Sequence, residues 1–260
     1  LLLEKIGIIL QARIGSTRLP GKVLREVNGM PLLKYQCDRL LQSKKINKLI
    51  IATSIDKLDN QIEKFAKQNQ ISCYRGSLNN VLERYYLCAK EFKLNYHKSK
   101  LNIIRITGDC PIIDSALVDE VITYFEKNEC DYASNTISPT FPDGMDVEVF
   151  DFNTLEIAYN DSILDSEREH VTPYIKKYPK FIKLNYASKN DYSNYRFTVD
   201  LKSDFELIQL LILALYDNNP YFSYLDAISY MQKNPSLFNI NSHIKRDEGY
   251  ISSLKEDIKK

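Results

Sequence analysis

The chain has 260 residues, 44% of them hydrophobic, which suits one large domain with a sizeable core better than two small ones. Its 35 Lys and Arg nearly balance 34 Asp and Glu, and a net charge of +1 gives no overall field to attract nucleic acid. The five cysteines (Cys37, Cys73, Cys88, Cys110, Cys130) are scattered without the spacing of a zinc or redox site. The start LLLEKIGIIL carries no basic leader, and the longest apolar stretch, Leu207 to Tyr216, is too short to cross a bilayer. A cytoplasmic protein with reduced thiols and no membrane span is expected.

Through the first half, short β-rich runs alternate with helical patterns, the pattern of βαβ units around a mostly parallel, doubly wound sheet with helices on both faces. Strands are expected at Ile6 to Ala12, Lys48 to Thr53, Ile71 to Tyr74 and Asn102 to Thr107. Helices are expected at Pro31 to Gln42, Asn60 to Gln68, Asn80 to Phe92 and Val118 to Lys127. Beyond Asp131 the segment SPTFPDG precedes an alternating strand, Met145 to Phe150. A helix then opens with the capping box Ser166 to Glu169 and is expected to kink at Pro173, or to restart there with Thr172 as cap. Strands Phe181 to Tyr186 and Tyr195 to Val199 lead to an amphipathic helix opened by a second box, Ser203 to Glu206, and only the charged tail after Ser242 reads as loosely held.

The loop after the first strand, Gln11-Ala-Arg-Ile-Gly-Ser-Thr-Arg-Leu-Pro-Gly-Lys22, packs two Gly, two hydroxyls and three cations into a few residues. Gly15 and Gly21 allow close backbone approach, while Arg13, Arg18 and Lys22 match the charge of a triphosphate; Gln11, Ala12 and Ser16 complete the cradle. Neither the Walker nor the dinucleotide spacing is present, and the plain alternative is a basic surface loop. Asp109, in Thr107-Gly-Asp-Cys-Pro111, leaves an apolar strand at its carboxyl end, where open α/β sheets bind ligands; there it either binds magnesium or begins a turn, with Asp114 the better helix cap.

The string ARIGSTRLPGKVL resembles the CTP-binding loop of bacterial sugar cytidylyltransferases, the group that activates Kdo and N-acylneuraminic acids. RGSLNNVLERYY, RITGDCPIID, PDGMDVEVF, EREHVTPYI and YRFTVD resemble the branch named after spore coat polysaccharide biosynthesis protein F. Together these strings cover nearly the whole chain in order. The resemblance implies a three-layer α/β/α sandwich of the nucleotide-diphospho-sugar transferase type, a homodimer, and CTP and a small anionic acceptor as substrates. The single domain 1–260 is expected to divide into a CTP-binding half, 1–130, and an acceptor-binding and dimerisation half, 131–260.

The resemblance also implies that Asp200, which by itself could equally cap a turn, joins Asp109 on Mg2+, and that Arg75, Gly76 and Ser77 read the cytosine edge, where the plain alternative is a turn capped by Ser77. Asp143, Asp146, Glu148, Arg168 and His170 fall to the acceptor. Alternation puts Asp146, Glu148 and Phe150 on one strand face, which serves sugar hydroxyls or is merely solvated; Arg168 and His170 are cationic partners for an acceptor anion or structural residues. The expected reaction is in-line attack of an acceptor oxygen on the α-phosphorus of CTP with loss of pyrophosphate, Arg13, Lys22 and Asp109 being catalytic. A glycosyltransferase on a similar fold would call for an Asp-x-Asp motif, and Asp143-Gly-Met-Asp146 lacks that spacing. A catalytically dead scaffold would have lost the loop charges or Asp109.

Overall fold

A computed structural model describes residues 6–92, 94 and 102–259. The chain opens with β1 (Gly7–Gln11), the short hairpin β2 (Glu26–Val27) and β3 (Met30–Pro31), and α1 (Leu32–Leu40). It continues with β4 (Lys48–Ser54), α2 (Asn60–Gln68), β5 (Ser72–Gly76), α3 (Val81–Glu91), β6 (Asn102–Thr107) and α4 (Ser115–Lys127). The second half contributes β7 (Tyr132–Ser134), β8 (Glu148–Asp151), α5 (Phe152–Asp161), α6 (Asp165–His170) and α7 (Pro173–Lys177). It ends with β9 (Lys183–Asn185), α8 (Lys202–Leu215), α9 (Tyr224–Lys233) and α10 (Glu248–Lys259).

Seven strands form one sheet in the order β5-β4-β1-β6-β8-β7-β9, parallel throughout except for β8, which runs against both neighbours. Side-chain alternation divides the core between the two faces. Ile8, Leu10, Ile51, Ile104 and Val149 point to one side with α1, α2, α4 and α8. Ile9, Ile50, Ile103 and Phe150 point to the other with α3, α5 and α7. The result is the expected three-layer α/β/α sandwich. Because the chain builds outward from β1 through β4 to β5 and then returns to lay β6 on the other side of β1, the sheet reverses direction between β1 and β6. Their carboxyl ends open a crevice there.

Five local expectations change. Tyr195 to Val199 is not a strand of the sheet. It is an extended segment bridged to the PDG turn through Asp143 N to Tyr195 O at 3.0 Å and Phe197 N to Asp143 O at 2.6 Å, and tied to the end of β6 through Val199 N, which donates to Asp109 O at 2.8 Å. The strand expected from Met145 begins only at Glu148, because buried Asn135 takes the Met145 carbonyl and the Val147 amide with its side chain in place of a neighbouring strand. The helix expected to open at Ser166 opens one residue earlier: Glu167 accepts the Ile163 and Leu164 amides, and the Ser166 hydroxyl lies buried without a partner among the described residues. Asp204 likewise replaces the Ser203 box, accepting the Asp200 and Leu201 amides at 2.9 Å each. At Pro173 the helix breaks rather than kinks. Val171 adopts φ +72°, and α7 restarts with Pro173 in its first turn, while Thr172 turns its hydroxyl to Glu148 instead of capping.

Candidate active site

The crevice is an open cleft of about 1350 Å³, enough for a nucleotide and a second small molecule together. Its first wall is the loop after β1. Gly21 sits at φ +68°, a conformation that glycine adopts without strain, and turns the chain so that Lys22 points back toward the strand ends. Buried Asp59 anchors the loop, accepting the Ile14 amide at 2.7 Å with one oxygen and the Ser54 amide with the other. Gln11, Ala12, Arg13, Ser16, Arg18 and Lys22 line the cleft; Gly15 does not.

At the switch point, Lys22 Nζ donates to Asp109 Oδ2 at 2.9 Å and to Asp200 Oδ1 at 2.8 Å. Arg18 lies 3.2 Å and Arg196 3.1 Å from Asp200 Oδ2. Gly108 makes this position possible, since a Cβ there would stand 2.8 Å from the Gln11 carbonyl that accepts the Gly108 amide. Burial works against charge on both Asp109 and Lys22, but their mutual attraction prevails. The Asp109 carboxyl is held well below the usual range, and the Lys22 ammonium is raised by Asp109 and Asp200. A cation therefore already sits between two carboxylates delivered by separate elements, β6 and the segment before α8.

Farther along the cleft, Glu148 is 3% exposed and is held on every side. Its Oε1 accepts from Tyr132 at 2.5 Å and Thr172 at 2.7 Å and lies 2.8 Å from Lys176 Nζ, while Arg105 bonds Oε2. Burial alone would raise this carboxyl; Lys176 and Arg105 instead bring it far below the ordinary range. Asp143 pairs with Arg196 at 2.5 Å and Asp146 with Arg246. Burial, together with Asp146 close by, pushes Asp143 up to about 7.

The carboxylates expected to face an acceptor line the cleft but are ion-paired, and the lining around them is mixed, with the cations Arg105, Lys176, Lys177 and Lys183 as well as the acidic Glu169, Asp247 and Glu256. His170 lines the cleft and shares a 3.0 Å hydrogen bond with Ser253 of α10. Burial lowers its pKa, with Glu169 working the other way, so burial acts against the cationic form expected of it.

Besides Gly15, four expected site residues do not reach the cleft wall. The Arg75 guanidinium turns outward to Asn60 at 2.7 Å, Glu63 at 2.9 Å and the Asp56 carbonyl at 2.8 Å, tying the end of β5 to the start of α2. Gly76 is packed under the Tyr74 and Arg84 side chains, and Ser77 stabilises the approach to α3 by accepting the Asn80 amide. Arg168 donates to the Ser162 carbonyl at 3.2 Å. In their place stand residues the motifs did not single out: Arg84, Arg105, Lys176, Arg196 and the start of α10, whose Glu248 meets Arg18 at 3.1 Å. The signal for Arg105 was present in the sequence, a cation inside the apolar run NIIRIT.

Comparison with known proteins agrees with this geometry. A family model described as cytidylyltransferase matches residues 7–240. The spore coat polysaccharide biosynthesis protein SpsF of Bacillus subtilis is 33% identical over 244 residues, covering 90% of this chain and 96% of its own. A cytidylyltransferase structure from Leptospira borgpetersenii superposes with a TM-score of 0.85 at 36% identity, covering 93% of this chain and 99% of that one. At 15% identity, a CMP:2-keto-3-deoxy-manno-octonic acid synthetase complexed with CTP shares the fold, with a TM-score of 0.59 over 81% of this chain and 99% of its own. The chain belongs to the cytidylyltransferase family and is a nucleotidyltransferase.

Proposed function

We propose that this enzyme transfers CMP from CTP to a small acidic sugar or related anionic acceptor, releasing pyrophosphate, in the synthesis of a surface polysaccharide or glycoconjugate. The observation that carries this reading is the convergence of Asp109 and Asp200 on one cation beside the basic loop. The relatives' names, which include a spore coat polysaccharide protein and a synthetase bound to CTP, support the donor and the acceptor class.

Arg13, Arg18 and Lys22 bind and orient the triphosphate, and they meet the charge that builds on the departing pyrophosphate when an acceptor oxygen attacks the α-phosphorus in line. Asp109 and Asp200 suit Mg2+, a hard cation that takes one or two carboxylates and completes its shell with phosphate oxygens and water. Lys22 already marks the point they share, and no larger cluster of ligands occurs among the described residues. Bound there, the ion would polarise the phosphoryl oxygens. Arg105, Lys176 and Lys183 give the acceptor end a cationic lining that orients a carboxylate or phosphate. The same reading makes the enzyme a cytoplasmic homodimer. Support comes from its five thiols, from exposed Leu210, Leu213 and Leu225, and from the fact that no helix among the described residues is long and apolar enough to cross a membrane.

The test is incubation with CTP, magnesium and a panel of sugar acids, sugar phosphates and phosphonates, with mass spectrometry for a CMP adduct and an assay for pyrophosphate. One acceptor should yield both products in equal amounts. Transfer of sugar from a nucleotide sugar, with no adduct from CTP, would overturn the reading.

A further inference from the structure

Among the described residues three cations meet the Asp200 carboxylate: Lys22 at Oδ1, and Arg18 and Arg196 at Oδ2. Lys22 and Arg18 belong to the basic loop, and the proposed reaction turns them to the triphosphate. Arg196 comes from outside that loop, four residues before Asp200 on the extended segment, and is 6% exposed. It is the partner that Asp200 keeps when the loop is engaged.

The charge of Arg196 is already offset elsewhere. Its Nε donates to Asp204 Oδ1 at 2.9 Å and its Nη2 to Asp204 Oδ2 at 3.2 Å, while Nη1 bonds Asp143 at 2.5 Å. Asp204 is fully buried and is itself fixed, by the Asp200 and Leu201 amides and by Asn241 Nδ2 at 2.9 Å. The 3.1 Å contact from Nη2 to Asp200 Oδ2 therefore orients that carboxylate without neutralising it, since two other anions balance the guanidinium. Holding the backbone does not account for the arginine. The segment is tied down by the Phe197 and Val199 amides, and a packed apolar side chain would hold it at least as well, because burying an arginine among carboxylates costs desolvation.

We infer that Arg196 is a positioning residue for the metal site, holding Asp200 by Oδ2 so that Oδ1 is directed to the point it shares with Asp109. A carboxylate that binds a metal is aimed by the groups hydrogen-bonded to it, and losing one such group weakens a metal site roughly 10- to 100-fold. The inference rests on the proposed binding of magnesium by Asp109 and Asp200.

The test is calorimetric titration of CTP into the wild type, Arg196→Lys and Asp143→Asn, over a series of magnesium concentrations and in EDTA, with the melting temperature of each protein recorded. Lysine keeps the charge but has no planar fork to span Asp143, Asp200 and Asp204, so this variant isolates orientation from charge. In Arg196→Lys the magnesium needed for half of the maximal gain in CTP affinity should rise roughly tenfold or more, with binding in EDTA unchanged. Asp143→Asn removes one balancing anion and leaves Arg196 in place to draw more strongly on Asp200, so it should shift the magnesium requirement in the same direction by a smaller factor. An unaltered requirement in folded Arg196→Lys, or in Asp143→Asn where the lysine variant does not fold, would overturn the inference. Equal weakening with and without magnesium would show a purely structural Arg196 and overturn it too. A wild type whose CTP affinity does not depend on magnesium would instead overturn the metal proposal and this inference with it.

Discussion

Glu148 shows how a single residue can change its meaning between sequence and structure. Alternation places it on a face with Asp146, ready for sugar hydroxyls. In the fold it still lines the cleft, but its two oxygens are taken by Tyr132, Thr172, Lys176 and Arg105. Glu148→Gln should therefore lose roughly 3 kcal/mol of stability, because two cations are left without their counter-ion. The pH dependence has a definite sign. With its folded pKa held far below the ordinary carboxylate range, the carboxylate stabilises the fold fully above about pH 5 and loses that contribution progressively as the pH falls toward the folded pKa, so the gap in melting temperature between wild type and variant should narrow steadily below about pH 4. A gap that stayed constant to pH 3 would mean that the pairing contributes nothing. Substrate effects belong to the partner: Lys176→Met should raise the acceptor KM about tenfold or more while leaving CTP affinity unchanged, and parallel loss of CTP binding would place Lys176 at the donor end instead.

Among the elements, the segment from Asp143 to Asp204 depends on backbone contacts that spacing rules do not reveal. The PDG turn is legible as a turn, but its purpose is not. Gly144 lies at φ +95°, where a Cβ would stand 2.4 Å from the Thr198 amide, so the turn presses against the extended segment that carries Arg196 and Asp200. Gly144→Ala should cost about 1–3 kcal/mol from the backbone conformation alone, and more from the contact; thermal unfolding should show a loss of several degrees, together with weaker magnesium-dependent CTP binding. A variant with wild-type melting would refute the close approach. The same region explains the misread caps. Ser166 and Ser203 satisfy the capping pattern, yet acidic Glu167 and Asp204 reach back to the preceding amides, and a pattern of residue types cannot distinguish them from the competing carboxylates of Glu169 and Glu206 close by in the chain. The helices and strands of the first half were readable because each is amphipathic or apolar over a full element. The segment 195–199 was not, because its β-rich composition serves burial under the turn rather than pairing in a sheet.

In the whole molecule, the sheet's switch point gathers what the sequence scatters over nearly 180 positions, from Lys22 to Asp200. The three-layer architecture and the basic loop were legible from periodicity and local chemistry, and Asp109 from its place at a strand end. The ion pairs of Asp143, Asp146 and Glu148 were not, since they depend on partners as distant as Arg246. The most direct measurement is calorimetric titration of CTP with magnesium into the wild type, Asp109→Asn, Asp200→Asn and the double variant, all with confirmed folding. If the two carboxylates act as one site, each single variant should weaken magnesium-dependent CTP binding about tenfold or more, with the double variant little worse than either. CTP binding of wild-type strength and unaltered magnesium dependence in all three variants would contradict the placement of the donor at this cleft.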